Sequence, residues 1–322
     1  MATIAARGLG KSYEGKPAVS DLSFDVEPGS VTGFLGPNGS GKSTTMRLML
    51  GLDHGAGSTT FDGQPFTSLR HPMRHVGALL EAKPFHPTRK ARNHLRMLAA
   101  ANGISRRRVD EVLALVGLTE VARSKPKSFS MGMGQRLGLA AALLGDPHTL
   151  ILDEPANGLD PQGILWMRLF LKSLAAEGRS VFVSSHLLPE MALMADHLVV
   201  IGKGRLIATG PVEEFVSTSH ANAVVVRTPD TSQLADLLVA EGADVSTTEP
   251  GMLTVQGLAA RAIGDLAFDH GVRLHELSNR VATLEEAFLE RTAGSEEFQA
   301  LPPSARPPSP PPTGTPSSGD GA

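Results

Sequence analysis

The chain contains 322 residues and has a formal net charge of −3 at pH 7, so its overall charge excludes a general basic field for nucleic acid. It contains no cysteine, which excludes disulfides, thiolate metal ligands and cysteine nucleophiles. No apolar run in the sequence approaches the roughly 20 residues that a membrane-spanning helix needs. Work at a membrane would therefore require a partner protein.

The first part of the sequence predicts three strands, over residues 2–9, 17–26 and 31–35. The third strand leads into a stretch that fits G-x-x-x-x-G-K-[ST], and apolar residues at helical spacing follow it over 45–50. The stretch consists of Gly36, Pro37, Asn38, Gly39, Ser40, Gly41, Lys42, Ser43 and Thr44. Its glycines allow backbone N–H groups to surround a phosphate, and the N-terminus of the following helix adds partial positive charge. This context predicts a phosphate site rather than an ordinary glycine-rich turn.

Two side chains of this loop have predicted roles in binding a nucleotide triphosphate. Lys42 is expected to reach the β- and γ-phosphates, where its charge offsets theirs. The hydroxyl of Ser43 is expected to ligate Mg²⁺. What the nucleotide is used for must be decided from the rest of the sequence.

The middle of the sequence changes from strands to helices. An apolar strand over 75–80 ends at Glu81, and residues 89–117 then carry apolar side chains at helical spacing. A polar, glycine-bearing loop is predicted over 128–136, and an apolar helix over 137–144 follows it.

Two adjacent acids, Asp153 and Glu154, follow the predicted apolar strand over 150–152. Successive residues at a strand end point in different directions, so the two carboxylates are able to take different roles. Asp153 is expected to hold Mg²⁺, directly or through water, and Glu154 to polarise the water that attacks the γ-phosphate. The alternative is a polar strand end that faces solvent. A phosphate loop on the same sheet favours the catalytic interpretation.

A further strand over 181–185 ends at His186, which is able either to hydrogen-bond the γ-phosphate or to cap the strand. Because strands alternate with helices, the sequence predicts an α/β fold with a mostly parallel sheet. In such sheets, ligand-binding residues gather at the carboxyl ends of the strands. The candidate residues that follow apolar strands in this chain are Lys42, Glu81, Asp153 and His186.

The pattern starts again after about residue 220, with a predicted order of β-α-β-β-α-β. This order predicts a small α+β accessory domain of ferredoxin-like type over 220–293, with its last strand over 272–277. No chemistry is predicted for this domain. Residues 295–322 are rich in proline, serine and glycine, so we expect a disordered tail there.

Residues 2–217 resemble the ATP-binding subunit of an ABC transporter, because five of that family's motifs occur in the family's order. The segment 36–44 resembles the Walker A loop, and 150–154 resembles the Walker B strand. The other matches are the signature motif at 129–133, the D-loop at 157–160 and the switch histidine at His186. Tyr13 lies where the family has an aromatic residue that stacks on adenine, although a packed core tyrosine is the alternative.

The resemblance implies a P-loop NTPase fold, with a RecA-like, mostly parallel sheet, an antiparallel β subdomain and a helical insert at about 88–146. It also implies that ATP and Mg²⁺ are the ligands and that the protein hydrolyses ATP. Two copies of the chain are expected to pack head to tail, so that each ATP lies between the phosphate loop of one copy and the signature motif of the other. The residues expected at that interface are Ser130, the backbone N–H of Gly132, and Asp160.

The chain departs from the family's motifs at the signature and at Glu81. The family signature is L-S-G-G-Q, whereas this chain has Met131 and Met133 at its third and fifth positions. The family has glutamine at the position of Glu81, where the residue senses Mg²⁺ and the membrane partner. A carboxylate is able to ligate Mg²⁺ there as an oxygen donor, while it adds negative charge near the phosphates.

These departures and the accessory domain resemble bacterial exporter ATPases, which often serve drug or antibiotic efflux. The resemblance implies a separate multi-span permease that holds this cytoplasmic protein at the inner face of the plasma membrane. The alternative is a soluble ABC-type ATPase that is not coupled to transport. Such proteins tend to carry two ATPase units or a long coiled-coil insertion, and the sequence shows neither.

Overall fold

The computed structural model describes residues 4–81, 85–219 and 221–292, which form three sheets with helices around them. The predicted disordered tail over 295–322 lies outside the described residues. Within those residues, no helix combines the length and the apolar character needed to cross a membrane.

The first 115 residues supply two interleaved groups of strands and the first helices. In chain order the elements are β1 (Ile4–Tyr13), β2 (Lys16–Val26), β3 (Val31–Leu35), α1 (Lys42–Met49), β4 (Ala56–Phe61), β5 (Gln64–Pro65), α2 (Pro72–His75), β6 (Val76–Leu79), α3 (Ala91–Ala101) and α4 (Arg106–Leu115).

The remaining elements complete the central sheet and form a third sheet. They are α5 (Met131–Ala142), β7 (Thr149–Leu152), α6 (Pro161–Ala176), β8 (Ser180–Ser184), α7 (Leu188–Met194), β9 (His197–Gly202), β10 (Arg205–Pro211), α8 (Val212–Ser217), β11 (Ala223–Arg227), α9 (Thr231–Ala240), β12 (Asp244–Glu249), β13 (Met252–Gln256), α10 (Ala260–Asp269), β14 (Glu276–Arg280) and α11 (Leu284–Thr292).

The central sheet has six strands in the order β10-β9-β3-β8-β7-β6. Every pair from β9 to β6 is parallel, and only the edge strand β10 is antiparallel. The residues of β3, β7 and β8 are all buried, which explains why these strands are continuous apolar runs rather than alternating ones. The parallel order brings the carboxyl ends of β3, β8, β7 and β6 to one edge of the sheet.

An antiparallel sheet of order β2-β1-β4-β5 packs against the central sheet through three phenylalanines. The ring of Phe182 on β8 lies 4.9 Å from that of Phe34 on β3 and 5.4 Å from that of Phe24 on β2, measured between centroids. These separations are within the range of favourable ring contacts, and the three side chains are almost completely buried. The mostly parallel sheet and the antiparallel β subdomain of the predicted fold are confirmed.

The helices α3, α4 and α5 form the predicted helical insert, and their apolar faces join the main core. The prediction was wrong about the beginning of α5. The sequence predicted a loop over 128–136, but the helix begins at Met131, and the Ser130 hydroxyl caps it by accepting a hydrogen bond from the Met133 N–H at 3.2 Å. The glycines in this stretch favoured a loop locally, whereas the cap from Ser130 and the burial of Gly134, Gln135 and Leu137 stabilise the first turns of the helix.

The third sheet has the order β12-β13-β11-β14, with every neighbouring pair antiparallel. Together with α9 and α10, this is the arrangement of a ferredoxin-like fold, as the sequence predicted. The predicted last strand over 272–277 was wrong by several residues, because β14 is Glu276–Arg280. Val272 is buried and Leu274 packs against the same core, so their alternation reflects a connecting segment laid on the core rather than a paired strand.

The last helix, α11, packs against α7 and α8, next to the central sheet. Leu284 and Phe288 belong to the main core rather than to the core of the third sheet. The guanidinium of Arg291 lies 4.6 Å from the ring centroid of Phe215 and donates to the Thr218 hydroxyl at 2.6 Å. The helices α7 and α8 are not predicted from the sequence, because each is too short to show a helical period.

Removal of the Phe182 ring should destabilise the protein strongly. Phe182→Ala should lower the free energy of unfolding by about 3–5 kcal/mol, because it opens a cavity between the two sheets. Phe268→Ala provides a matched control, because the Phe268 side chain is 85% exposed and its loss should cost no more than about 0.5 kcal/mol. Urea unfolding followed by circular dichroism measures the free energy of unfolding of both variants. Equal destabilisation by the two variants would contradict the packing assigned to Phe182.

Candidate nucleotide-binding site

The loop between β3 and α1 is built so that side chains cannot fill it. Gly41 has φ +99°, and a Cβ there would collide with the carbonyl oxygen of Ala18. A Cβ at Gly36 would lie 2.5 Å from the carbonyl oxygen of Ile201 and 2.5 Å from the Ser40 Oγ. Only glycine suits these two positions, because one needs left-handed backbone and the other needs a close approach to β9.

The side chain of Lys42 points back into this loop. Its Nζ donates hydrogen bonds to the carbonyl oxygens of Gly36 at 2.7 Å and Pro37 at 3.1 Å. Burial lowers the pKa of the Lys42 ammonium below its ordinary value, and the nearby charges of Glu154 and Asp153 act in the opposite direction. The charge therefore lies between the loop carbonyls and the two acids.

The donors in this loop fit a phosphate. Within the described residues, the buried Ser40 Oγ has no hydrogen-bond partner. The hydroxyl of Ser43 is exposed at the first turn of α1, where the N-terminus of the helix favours negative charge. An anion seated in the loop would meet the backbone N–H groups, the Lys42 charge and a free hydroxyl donor.

The two acids lie at the carboxyl end of β7, beside β8. The Ser184 hydroxyl, at the end of β8, donates to Asp153 Oδ1 at 2.5 Å and accepts from the Glu154 N–H at 2.9 Å. Glu154 has φ +49°, a left-handed conformation that is strained for a residue other than glycine. One hydroxyl therefore holds the orientation of both acidic residues.

His186 contacts Glu154 directly. Its Nδ1 lies 2.6 Å from Glu154 Oε2, and its backbone N–H donates to the same oxygen at 3.4 Å. Both contacts come from the segment that follows β8, so the parallel pairing of β7 and β8 brings the histidine to the acid. The geometry makes His186 a residue that orients the Glu154 carboxylate.

Glu81 lies at the end of β6, on the far side of β7 from the phosphate loop. Its side chain is exposed, and within the described residues no hydrogen bond joins it to Asp153 or Ser43. The same residues contain no group of three or more histidine, cysteine or acidic side chains able to hold a metal ion. A divalent ion at this edge would therefore need oxygen ligands from the nucleotide as well as from Ser43 and Asp153.

Tyr13 is not a packed core residue, because 47% of it is exposed. Its hydroxyl donates to Asp53 Oδ2 at 3.1 Å, and the Lys11 Nζ lies 5.2 Å from the ring centroid. The Asp53 carboxylate is itself held by Arg47 of α1 at 3.0 Å. The ring is thus anchored beside α1 with exposed surface, as stacking on a base requires.

A second group of predicted site residues surrounds a different cavity, of about 670 Å³. The lining includes Ser130, Gly132 and Asp160, together with Arg136. The Asp160 carboxylate accepts from the Gly163 N–H at 2.8 Å and so caps α6. None of the phosphate-loop residues lines this cavity, so the predicted site residues fall into two separate groups on one chain.

Ser184 is a residue of this site that is not predicted from the sequence. The available signal was a polar residue at the end of an apolar strand, in the position that also marked Asp153. The strand order was needed to use this signal, because only the pairing of β7 with β8 places Ser184 beside the acids.

The chain matches known proteins along most of its length. Residues 19–157 match a family model described as ABC transporter, and residues 222–285 match one described only as a domain of unknown function. An uncharacterized ABC transporter ATP-binding protein of Bacillus subtilis, YhcH, is 38% identical over 90% of this chain and 96% of its own length. The bacitracin transport ATP-binding protein BcrA of Bacillus licheniformis is 40% identical over 66% of this chain and 71% of its own length.

One further relative and two solved structures are also similar to this chain. The lantibiotic transport ATP-binding protein SrtF of Streptococcus pyogenes is 36% identical over 62% of this chain and 87% of its own length. The structure of an ATP-binding subunit of an ABC transporter has a TM-score of 0.60 and 28% identity, over 66% of this chain and 92% of that one. A dimeric ATP-binding cassette with bound ADP and Pi, 22% identical, shares the fold with a TM-score of 0.60 over 65% of this chain and 98% of that one.

The chain belongs to the family of ABC transporter ATP-binding proteins. It binds nucleotide and hydrolyses ATP, as the ATPase subunit of a transporter. The predicted family and activity are confirmed.

Replacement of Ser184 should impair hydrolysis more than nucleotide binding. Ser184→Ala removes the hydroxyl that orients both acids, so we expect kcat to fall about 10- to 100-fold, as for other residues that orient reactive groups. The affinity for ATP should change little, because the phosphate loop is untouched. Steady-state hydrolysis and equilibrium binding of a fluorescent ATP analogue separate the two effects.

Ser173→Ala is the control for this experiment. The Ser173 hydroxyl is exposed on α6 and bonds only to the Phe170 carbonyl of its own helix, at 2.7 Å. The Ser173→Ala variant should keep the wild-type kcat. An equal kcat for Ser184→Ala and the wild type would contradict the role given to Ser184.

Proposed function

We propose that this protein hydrolyses Mg²⁺-ATP to power a separate multi-span permease that exports an antibiotic or a related toxic compound. The observation that carries the proposal is the cluster of Lys42, Asp153, Glu154 and His186 at one edge of the parallel sheet. The choice of cargo is supported by the similarity to ATP-binding proteins of bacitracin and lantibiotic transport.

The phosphate loop holds the nucleotide in this proposal. The backbone of residues 36–44 surrounds the phosphates, and Lys42 exchanges its bonds to the loop carbonyls for bonds to the β- and γ-phosphates. This exchange is favourable because a buried ammonium gains an anionic partner in place of neutral oxygens. Tyr13 stacks its exposed ring on the adenine.

Mg²⁺, when bound, neutralises charge on the phosphates and helps to align them for attack. Its protein ligands in this proposal are the Ser43 hydroxyl and the Asp153 carboxylate, with Glu81 as a further oxygen donor. The hydrogen bond from Ser184 leaves the second oxygen of Asp153 available for this role.

Glu154 polarises the attacking water, and His186 holds the carboxylate in place for that task. The 2.6 Å contact between His186 Nδ1 and Glu154 Oε2 leaves the other carboxylate oxygen to accept from water. The ring Nε2 of His186 is then able to approach the γ-phosphate. The histidine therefore has a positioning role and a phosphate-sensing role.

The working unit is a homodimer, because each chain carries two halves of different sites. Ser130 and Gly132 begin α5 beside a cavity that lies apart from the phosphate loop. The N-terminus of α5 presents partial positive charge and unpaired N–H groups that suit a γ-phosphate. Two chains packed head to tail bring these donors, and the adjoining Asp160, to the nucleotide held by the partner subunit.

The permease holds the protein at the inner face of the plasma membrane in this proposal. The competing function is that of a soluble ABC-type ATPase with no transport partner. Co-purification from a membrane extract distinguishes the two, because the proposal requires a multi-span protein to be retained with the tagged ATPase.

Glu154→Gln tests the assignment of the catalytic residue. The variant should bind ATP normally but hydrolyse it about 10²- to 10⁴-fold more slowly, because the amide cannot accept a proton from water. ATP should then trap a dimer, which size-exclusion chromatography detects. Glu177→Gln, on the exposed end of α6, is the matched control and should hydrolyse ATP at the wild-type rate. Hydrolysis by Glu154→Gln at the wild-type rate would refute the assignment.

Export is tested in a susceptible bacterium that expresses the ATPase with its permease. We expect a higher minimal inhibitory concentration of bacitracin or of a lantibiotic, and we expect the Glu154→Gln variant to abolish the protection. Retention of a permease without protection would exclude these cargoes. Hydrolysis without any retained permease would favour the soluble alternative.

A further inference from the structure

The beginning of α5 and the loop before α6 interlock through two reciprocal contacts. A Cβ at Gly158 would lie 1.7 Å from the Sδ of Met131 and 2.7 Å from its Cγ, so the thioether of Met131 packs directly on the Gly158 backbone. In the other direction, a Cβ at Gly132 would lie 2.9 Å from the Cδ2 of Leu159. Each large side chain therefore occupies the space that a glycine leaves open on the other segment.

Gly158 cannot be replaced freely, for two independent reasons. Its φ of +74° is in the left-handed region, which favours glycine. The Met131 side chain also occupies the space of any Cβ at this position. Met131 itself is 49% exposed, so the contact lies at the surface, beside the cavity that Ser130 and Asp160 line.

The loop that contacts Met131 follows Glu154 in the chain within a few residues. The Asn157 N–H donates to the Glu154 carbonyl at 3.1 Å, and the Leu159 N–H donates to the Ala156 carbonyl at 3.2 Å. These two turns make residues 154–160 compact, so a displacement of Gly158 is transmitted to Glu154. The other end of the loop is held where Asp160 caps α6.

We propose that Met131 is a positioning residue that couples the two ATP sites of the dimer by joining the turn of Ser130 and Gly132 to the loop of Glu154. This inference rests on the proposed function, in which Ser130 and Gly132 of one chain serve the partner's ATP while Glu154 serves the chain's own. ATP that engages the N-terminus of α5 restrains Met131, and Met131 restrains Gly158. Contact with one nucleotide thereby sets the position of the acid at the other.

The contact depends on the methionine that this chain has at the third position of the signature, where the general family pattern has glycine. A glycine at position 131 would leave the surface of Gly158 uncovered. The thioether is unbranched and polarizable, which suits it to fill a shallow surface over a glycine. Leucine has a similar volume and should fill the same space.

The first experiment measures ATP hydrolysis by the purified full-length protein against ATP concentration. The wild type should show a Hill coefficient above 1, with 2 as the limit for two sites. Met131→Ala should lower kcat by about 5-fold or more and bring the Hill coefficient towards 1, because the coupling is lost. Met131→Leu should retain the wild-type kcat and Hill coefficient.

The affinity for ADP distinguishes a loss of coupling between the two sites from general damage to the fold. ADP lacks the γ-phosphate that the α5 turn contacts, so Met131→Ala should bind ADP with a Kd within about twofold of the wild type. Wild-type kcat and cooperativity in Met131→Ala would overturn the proposal. Equal losses of kcat and of cooperativity in Met131→Leu and Met131→Ala would also overturn it.

A double-mutant cycle tests the contact without relying on hydrolysis. Gly158→Ala should lower the thermal unfolding midpoint, because its Cβ collides with Met131, and the addition of Met131→Ala should restore part of the loss. If the two substitutions shift the thermal unfolding midpoint additively, the contact between Met131 and Gly158 is contradicted.

A wild-type protein that hydrolyses ATP with a Hill coefficient of 1 would overturn the coupling and leave the proposed function intact. A wild type that hydrolyses no ATP would overturn both.

Discussion

The buried charge of Lys42 is the constraint on which the nucleotide-binding half of the molecule depends. An ammonium held away from water is costly unless it has partners, and this one has two loop carbonyls together with the field of Asp153 and Glu154. These partners come from β3 and β7, two strands separated by β8 in the central sheet. The parallel pairing of those strands therefore brings the cation and the acids together, and it gives an incoming phosphate a ready counter-charge.

The same sheet explains why the acidic residues keep fixed orientations. Ser184 lies at the end of β8, which is the strand between β3 and β7. Its hydroxyl forms hydrogen bonds with both acidic residues. His186, two residues later, restrains the carboxylate of Glu154 from the other side. Rigid strands thus position groups on three connecting segments, which is the general reason that ligand sites occur at this edge of open α/β sheets.

The nucleotide-binding half could be predicted from the sequence because each of its motifs is local. The phosphate loop, the acid pair and His186 each follow an apolar strand, and a strand, a glycine loop and a helix are legible in one short segment. The glycines of the loop are also interpretable one by one, because left-handed backbone and close approach both exclude a Cβ. Ser184 could not be assigned in this way, because its importance depends on which strand lies next to which.

Several features were decided by packing rather than by local preference. The first turn of α5 contains residues that favour a loop, yet burial of Gly134 and the cap from Ser130 make it helical. The last strand of the accessory sheet is displaced from the apolar alternation around Val272, because those side chains pack as a connection. The packing of α11 against α7 and α8 places Leu284 and Phe288 in the main core, beyond the accessory sheet that precedes them in the chain. No periodicity in the sequence predicts this contact.

The sequence by itself determined the family and the ATP-hydrolysing activity, and it predicted the residues that bind phosphate, because these properties depend on short runs with strict residue types. Only the tertiary structure decided that Ser184 orients the acids, that the predicted site residues form two separate groups, and that Met131 rests on Gly158. Each of these is a contact between segments far apart in the chain. Such contacts depend on strand order and on helix packing, which short runs of sequence do not specify.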